Sequence, residues 1–243
     1  TMEDGRRSVV ELMGVAAERG LMVDLHCDET DDPQSRHIET LAAETQRLGM
    51  HGRVAGSHLT SMHSMDNYYA SKLIPLIAEA GVAAIANPLI NLAIQGRHDT
   101  YPKRRGLTRI EELQEAGVPV AFGHDCVMDP WYSLGSGDML EVAHMAIHAA
   151  HLTSQDAMRL TFDAVTAVPA AILGLDGYGL APGNPAHLVL LDAGDPIEAI
   201  RLKATRLAVL RHGVVIARTP ARTTALRLDD RPAEVSLRRP PAS

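Results

Sequence analysis

Apolar positions in the first two-thirds of the chain follow two different spacings. One spacing is helical: within residues 6–19, the apolar residues Val9, Val10, Leu12, Met13 and Ala16 have a spacing that suits one face of a helix. The other is a short continuous apolar run, which is typical of a strand buried on both faces. The helical spacing predicts helices at residues 6–19, 35–48, 68–80 and 107–116, and the apolar runs predict strands at 21–25, 53–57, 82–86 and 118–122.

Each of these predicted helices is followed by a glycine and then by a predicted strand. Helices that alternate with short apolar strands predict parallel βαβ units, and such units indicate an α/β fold. Four units make half of a (β/α)₈ TIM-like barrel. A flavodoxin-like open sheet is the alternative on topology alone, but no Gly-rich phosphate-binding loop follows the first strand.

The last third of the chain changes its pattern twice. Helical spacing predicts helices at 138–151, 154–162 and 165–173. From Pro182 onward, apolar runs at 186–191, 207–210 and 214–217, with a tight turn at 211–213, predict a small antiparallel β module. We therefore predict three parts: a half barrel at 1–181, part of a small β-sandwich domain at 182–226, and a poorly ordered Pro- and Arg-rich tail at 227–243.

Composition excludes several classes of protein. Hydrophobic residues make up 46% of the chain and aromatic residues only 3%, so the core must consist of Ala, Val, Leu and Ile. The net charge of −7 argues against a nucleic-acid partner, and the basic run Lys103–Arg105 is too short to change this. Two cysteines give no disulfide framework, and no apolar run reaches the roughly 20 residues that cross a bilayer. We expect a cytoplasmic protein without a membrane partner.

Polar side chains follow all four predicted strands of the half barrel. The carboxyl ends of parallel barrel strands converge on one face, where active sites lie, so we expect these side chains to lie close together. The four strand ends carry His26 to Glu29, Ser57 and His58, Asn87 and Pro88, and Gly123 to Asp125.

These residue types fit one chemistry. Imidazole and carboxylate groups are the usual ligands of a hydrolytic zinc or iron(II) ion. Such a metal lowers the pKa of its bound water to about 7 and provides a hydroxide nucleophile. Attack on an amidine-like carbon also needs a proton shuttle, and Glu29 beside the cluster is a candidate.

Each of these residues also has a structural interpretation. A single His at a strand end is often only hydrogen-bonded, and an Asp there often caps the next helix. Several such residues at matching positions favour the functional interpretation. The histidines on or beside helices are expected to be structural, His63 stays open between the two interpretations, and Cys27 should face the helices if His26 faces the barrel centre.

The motifs resemble the amidohydrolase superfamily, and within it bacterial cytosine deaminase and its close relatives. The likeness runs from about residue 5 to about residue 225. The segments that carry it are 23–29, 57–64, 87–91, 95–97, 99–106 and 122–125, followed by 129–132. The terminal segment 183–190 is similar to the small β-sandwich that this superfamily builds from both chain ends.

The resemblance assigns roles to the matching residues. It implies that the four strands are strands five to eight of the full barrel, and that His26 and Asp125 are metal ligands. It implies that Glu29 is the proton shuttle and that His58 holds and polarises the metal-bound hydroxide. Trp131 looks like a wall of the pyrimidine pocket, and a homo-oligomer is expected.

Two departures from the family pattern change the expectation. The superfamily's His-x-His pair after strand one does not occur in this sequence, and the substrate-reading Gln of an earlier strand is also missing. Since the chain begins at Thr1 just before a helical segment, we expect a fragment or a cleaved chain, completed by an N-terminal half. In addition, Cys126 stands where cytosine-preferring members have a second Asp, which is thought to read the substrate's polar edge.

Three functions compete at this point. The first is hydrolytic deamination of an amino-pyrimidine, cytosine or isocytosine, by a chain that is active once it is completed. The second is a related amidohydrolase that acts on another amino-heterocycle, such as isoguanine or creatinine, or on a cyclic amide. The third is an inactive half-barrel that serves as a binding or scaffold piece. The intact Glu29, His58 and Asp125 argue against the third.

Overall fold

Helices and strands alternate along residues 1–237, the part of the chain that the computed structural model describes. The helices are α1 (Met2–Glu18), α2 (His37–Arg47), α3 (Asn67–Ala80), α4 (Pro88–Ile94), α5 (Ile110–Glu115), α6 (Met139–Ala149), α7 (Gln155–Asp163), α8 (Ala167–Ile172) and α9 (Pro196–Leu202), with a 3₁₀ helix at Thr60–Ser64. The strands are β1 (Val23–Cys27), β2 (Val54–His58), β3 (Val82–Ala86), β4 (Val120–Phe122), β5 (Leu188–Leu191), β6 (Arg206–Arg211), β7 (Val214–Arg218), β8 (Thr224–Ala225) and β9 (Glu234–Val235).

Strands β1 to β4 form one parallel sheet in the order β1-β2-β3-β4. Every strand therefore lies beside its neighbours in sequence, with β1 paired to β2 from Val23↔Val54 to Cys27↔His58. A flavodoxin-like sheet reverses its strand order around the first strand, so this alternative is wrong. Successive parallel strands with helices between them are the arrangement of consecutive (β/α)₈ barrel units, which confirms the predicted fold class.

Local sequence explains where the helices begin and end. Asp66 caps α3, since its side chain accepts a hydrogen bond from the backbone N–H of Tyr69. Gly81 ends the same helix at φ +63°, a left-handed conformation that a side chain would disfavour. Pro88 opens α4 at a position where its missing N–H costs no helical hydrogen bond.

The strand bounds predicted from apolar runs were correct only for β3. Strand β1 lies two residues later than predicted, β2 lies one residue later, and β4 begins at Val120 rather than at residue 118. The reason is that backbone pairing with the neighbouring strand, and not the apolar run, decides where a strand begins and ends. The polar residues His26 and Cys27 pair with Ser57 and His58 and so belong to the strands themselves.

Helix bounds moved by up to four residues, and several short elements were not predicted. The helix predicted at 107–116 shrinks to Ile110–Glu115, while the first helix begins at Met2 rather than at residue 6. Helices α4 and α9, the 3₁₀ helix and strands β8 and β9 were missed. Helix α4 buries Pro88 to Asn91, so its sequence has no polar face to reveal the helical period.

The main core lies between the parallel sheet and the helices on its outer face. It contains fully buried aliphatic side chains on three helices, among them Leu41, Ile77 and Leu113. Cys27 belongs to this core at 3% exposure, as predicted. Asp24 and His26, the alternate residues of β1, lie on the opposite, exposed face.

The second sheet is antiparallel and has the order β5-β6-β7. His212 and Gly213 connect β6 to β7 with φ angles of +48° and +77°, as a two-residue hairpin turn requires. Part of the predicted tail is ordered, because β9 pairs with β8. The rest of that prediction, at 238–243, lies outside the described residues.

Among residues 1–237, no helix has the length and apolar character needed to cross a membrane.

Candidate active site

Three potential ligand groups meet at the carboxyl edge of the parallel sheet. His26 lies in β1, His58 ends β2, and Asp125 follows β4. One ligand atom from each lies within 4.8 Å of the other two. The rings of His26 and His58 are edge-to-face with centroids 4.7 Å apart, and His58 Nε2 is 3.9 Å from Asp125 Oδ2. The structure therefore brings together three of the residues predicted from separate strand ends.

The backbone at this edge is left-handed at several non-glycine residues. Asp28, His58 and Asp125 have φ angles of +54°, +71° and +63°. This conformation is disfavoured for residues with a side chain and is common at functional sites, where the surrounding structure holds it in place. At all three residues the left-handed backbone lies at or just after the end of a strand, next to the polar side chains of the cluster.

His58 is fully buried, and its two ring nitrogens have different surroundings. Nδ1 is 3.0 Å from Asn91 Nδ2, 3.2 Å from Asn87 Nδ2 and 3.3 Å from Glu29 Oε1. Nε2 has no hydrogen-bond partner among the described residues and faces the cluster. A buried polar atom without a partner is costly, so its presence here indicates that the cluster receives a further polar group. His26 and Asp125 beside it offer the nitrogen and oxygen donors that suit a divalent metal ion.

Burial and neighbouring charges shift the protonation of this cluster. Burial lowers the pKa of His58 to about 4, against the opposing effect of Asp125, so the ring is neutral at neutral pH. Burial, followed by the negative charge of Asp125, raises the pKa of Glu29. A carboxyl group with a raised pKa, 29% exposed and adjacent to His58, can both accept and release a proton.

The Asp28 carboxylate fixes the turn that leads from His26 to Glu29. Its side chain is fully buried and accepts hydrogen bonds from Ser35 Oγ at 2.7 Å and from the backbone N–H groups of His37 and Ile38 at 2.9 and 2.8 Å. His37 Nδ1 lies a further 2.8 Å from it. The carboxylate therefore ties the start of α2 to the end of β1 and sets the position of the Glu29 backbone.

His124 shapes the segment that follows Asp125. Its Nδ1 lies 3.0 Å from the Cys126 carbonyl oxygen, and its Nε2 accepts from the backbone N–H groups of Ser136 and Gly137. Gly135 completes the contact, since a Cβ there would come within 2.5 Å of the ring. The ring thus holds both ends of the loop at 126–137.

Cys126 and Trp131, predicted to contact a substrate, both lie on this loop. Cys126 Sγ is 3.7 Å from Asp125 Oδ2, and burial raises the pKa of the thiol to about 12, so it is protonated at neutral pH. Trp131 is 70% exposed, and its backbone N–H donates to Asp129 Oδ1. Cys126 therefore adjoins the cluster, while the indole of Trp131 is largely exposed.

A second polar network joins the loops that follow β1, β2 and β3. Asp31 receives the His63 Nε2 at 2.9 Å and the Gly96 N–H at 2.8 Å. Arg104 donates to the Asp31 carbonyl oxygen and forms a bidentate pair with Asp99. The His63 ring joins the loops that follow β1 and β2, which is the contact that its structural interpretation expects.

The comparisons with known proteins agree with this geometry. A family model described as "Amidohydrolase family" matches residues 1–223. The chain belongs to the amidohydrolase family. The predicted resemblance is therefore confirmed. The chain is also similar to a pterin deaminase from Rhizobium rhizogenes, with 37% identity over 211 residues, which are 86% of this chain and 48% of that protein.

Two solved structures are also similar to the chain. A 5-methylcytosine deaminase from Klebsiella pneumoniae, liganded with 5-fluorocytosine, has a TM-score of 0.89 and 44% identity and covers 91% of this chain. An N-isopropylammelide isopropylaminohydrolase from Burkholderia multivorans has a TM-score of 0.77 and 29% identity and covers 89%. The matches cover 54% and 52% of those two chains. This amidohydrolase chain thus spans about half the length of the relatives it matches.

Several residues of the site were not assigned a role from the sequence. Asn87 and Asn91 stand one helical turn apart at the start of α4, and this Asn-Pro-x-x-Asn spacing was the available signal. Asp28 lies within the candidate segment from His26 to Glu29, and no separate role was predicted for it. The role of His124 depends on the return of the chain at Ser136, which no local pattern predicts.

Replacing Asp28 with Asn should destabilise the fold by about 1–3 kcal/mol, because an amide N–H₂ would face donors that now bond a carboxylate. The free energy of unfolding in urea measures this cost. Asp156→Asn is the matched control, since the Asp156 side chain is 95% exposed and its loss should change the free energy by less than about 0.5 kcal/mol. Equal effects of the two substitutions would contradict a stabilising role for the Asp28 carboxylate.

Proposed function

We propose that this chain contributes the catalytic face of a metal-dependent amidohydrolase that hydrolytically deaminates a cytosine-like amino-pyrimidine, cytosine or isocytosine. One observation carries the proposal. A carboxyl group with a raised pKa, Glu29, lies against a buried neutral imidazole, His58, whose other nitrogen faces His26 and Asp125 without a partner among the described residues. Such a group of residues suits the activation of a water and the movement of its protons.

The substrate class is supported by the relatives. One is named a pterin deaminase, and another is a 5-methylcytosine deaminase solved with a cytosine analogue. Pterin carries the 2-amino-4-oxo-pyrimidine unit of isocytosine, and cytosine carries the 4-amino isomer. Both names therefore describe the removal of an amino group from a pyrimidine ring beside a ring nitrogen.

His26 and Asp125 would hold the divalent metal ion, zinc or iron(II), through an imidazole nitrogen and a carboxylate oxygen. When bound, such an ion would lower the pKa of a water and so supply a hydroxide nucleophile. Asp125 also helps to accept the proton of the water. His58 directs Nε2 at the attacking oxygen and orients it.

Glu29 moves the protons of the reaction. Water adds to the amino-bearing carbon, so that a carbon–oxygen bond forms, and Glu29 takes one proton from the water and gives it to the adjacent ring nitrogen. The proton that remains on the added oxygen then passes to the amino group, the carbon–nitrogen bond breaks, the ring carbonyl forms and ammonia leaves. The raised pKa of Glu29 suits both directions of transfer, because the carboxyl group neither holds nor releases its proton too strongly.

Cys126 and Trp131 would contact the substrate ring. The protonated thiol of Cys126 offers a weak donor where cytosine-preferring relatives carry a carboxylate acceptor, which favours a different ring edge. Trp131 would close the pocket as an apolar wall when a ring is present. The proposed domains are the half barrel at 1–181, the β-sandwich portion at 182–226 and the tail at 227–243.

The remaining part of the barrel would come from an N-terminal half, as a separate or cleaved chain or as a further segment. In the described part of the chain, β1 and β4 each have one neighbouring strand, and unpaired edges of a parallel sheet are unfavourable. An apolar cavity of about 360 Å³ opens beside Val54, Ala83 and Ile172 at the other end of the sheet.

The cytoplasmic location and the homo-oligomer remain predictions.

Replacing Glu29 with Gln should lower kcat for ammonia release by about 10²- to 10⁴-fold, because the amide cannot move a proton. Ammonia release is measured with cytosine, isocytosine, isoguanine and creatinine, using the protein with every chain that co-purifies. Metal content should stay unchanged. Glu115→Gln, at the exposed end of α5, is the matched control. Turnover by the Glu29 variant within a few-fold of the original would rule out the shuttle, and no release from any of the four compounds would refute the deaminase.

Replacing Cys126 with Asp should shift preference toward cytosine by about tenfold or more in the ratio of kcat/KM values for cytosine and isocytosine, since a charged acceptor replaces the thiol. Cys126→Ser removes the thiol without adding charge and serves as the control. An Asp variant with the ratio of the original protein would show that residue 126 does not read the ring.

Denaturing mass spectrometry of the active protein should reveal a polypeptide that carries a His-x-His peptide, either as a second species or as part of a longer chain. The closure of the barrel requires the strands that such a segment supplies. An active, metal-loaded preparation whose only species has the 26.2 kDa mass of this chain would contradict the proposal.

A further inference from the structure

We propose that Asn87 and Asn91 fix the neutral ring of His58 in the tautomer that carries its proton on Nε2. The two amides would thereby make His58 a hydrogen-bond donor toward the cluster rather than a metal ligand. The catalytic consequence rests on the proposed function, whereas the tautomer itself does not.

The orientation of the Asn91 amide follows from a backbone contact. Asn91 Oδ1 accepts the backbone N–H of Asn87 at 3.3 Å. The other end of the amide, Nδ2, then points at His58 Nδ1 from 3.0 Å. Asn91 is fully buried on α4, so a flipped amide would place its N–H₂ against the Asn87 N–H with no water to bond instead. An N–H₂ group at this distance stabilises an Nδ1 that accepts, and repels one that carries a proton.

The Asn87 amide is held by two further neighbours. Its Nδ2 donates to Ser57 Oγ at 3.3 Å and lies 3.2 Å from His58 Nδ1. On its other side, Oδ1 lies so close to Gly123 that a Cβ on that residue would come within 2.2 Å. The amide is therefore wedged between β2 and β4 with its donor end toward the imidazole.

Glu29 is the competing neighbour of Nδ1, because an ionised carboxylate would favour a proton there. Its Oε1 is the most distant of the three groups, at 3.3 Å, and its side chain is 29% exposed. Water can therefore solvate the carboxylate, whereas the two buried amides have no water to bond and keep their N–H groups toward Nδ1, with Ser57 Oγ as the second acceptor of Asn87. Two fixed donors outweigh one partly solvated acceptor, and Nδ1 is left without a proton.

This tautomer explains the unpartnered Nε2. With a proton on it, the nitrogen points an N–H at the space between His26 and Asp125, where an attacking oxygen would sit. A protonated nitrogen cannot also bind a metal. His58 therefore acts on the oxygen, and Asn87 and Asn91 are positioning residues that act through His58.

Nuclear magnetic resonance of protein labelled with ¹⁵N-histidine tests the tautomer directly. Long-range ¹H–¹⁵N correlation separates a protonated ring nitrogen from a bare one, and His58→Asn identifies the signal by its loss. We expect Nε2–H in the metal-free protein at neutral pH, and the same after Zn²⁺ is added. A proton on Nδ1, or zinc bound at Nε2, would overturn the inference.

Asn91→Asp then tests the cause. The substitution keeps volume and the acceptor toward Asn87, but replaces the donor toward His58 by an acceptor, so Nδ1 should gain a proton. Asn67→Asp adds the same charge on the exposed start of α3 and should leave His58 unchanged. If Asn91→Asp does not fold, Asn87→Asp makes the same exchange at the second amide. An Nδ1 that stays bare in a folded variant would show that the amides do not select the tautomer.

Activity measurements separate this inference from the proposed function. In an active protein, Asn91→Asp should lower kcat by about 10²-fold with little change in KM, since a donor to the attacking oxygen is lost. An Nε2–H tautomer in a protein that releases no ammonia would leave the inference standing and remove only the proposed function.

Discussion

The parallel pairing of β1 to β4 is the constraint on which the site depends. His26, His58 and Asp125 are far apart in sequence, and they meet because parallel strands in register end at the same edge of a sheet. The pairing of Cys27 with His58 brings the ends of β1 and β2 level. A shift of one residue in this register would turn His26 toward the helices and Cys27 toward the cluster.

Burial then converts this geometry into chemistry. At the surface, His58 and Glu29 would titrate near their ordinary values, but in the partly dry cluster the imidazole stays neutral and the carboxyl group holds its proton more strongly. The amides of Asn87 and Asn91 add direction to a ring that has no charge of its own. Desolvation thus sets the number of protons on His58 and Glu29. The hydrogen bonds from the two amides set which ring nitrogen of His58 carries its proton.

Sequence patterns predicted the repeated helix–strand unit and the residues at the strand ends well. The repeat is visible because helix and buried strand differ in hydrophobic period, and His26, His58 and Asp125 stand out as polar residues after apolar runs. Strand bounds were less accurate, since pairing rather than hydropathy decides where β1 begins. The supporting residues escaped prediction because Asp28, Asn91 and His124 act through backbone groups brought near only by folding.

The loops around the cluster are held by different contacts. Asp31, His63 and Arg104 cross-link the loops that follow β1, β2 and β3. The loop at 126–137 is held by the ring of His124, which contacts both of its ends, and by Tyr132, which packs into the core. One imidazole therefore sets the positions of Cys126 and Ser136 together, so a change in the length of this loop would displace the residue that adjoins Asp125.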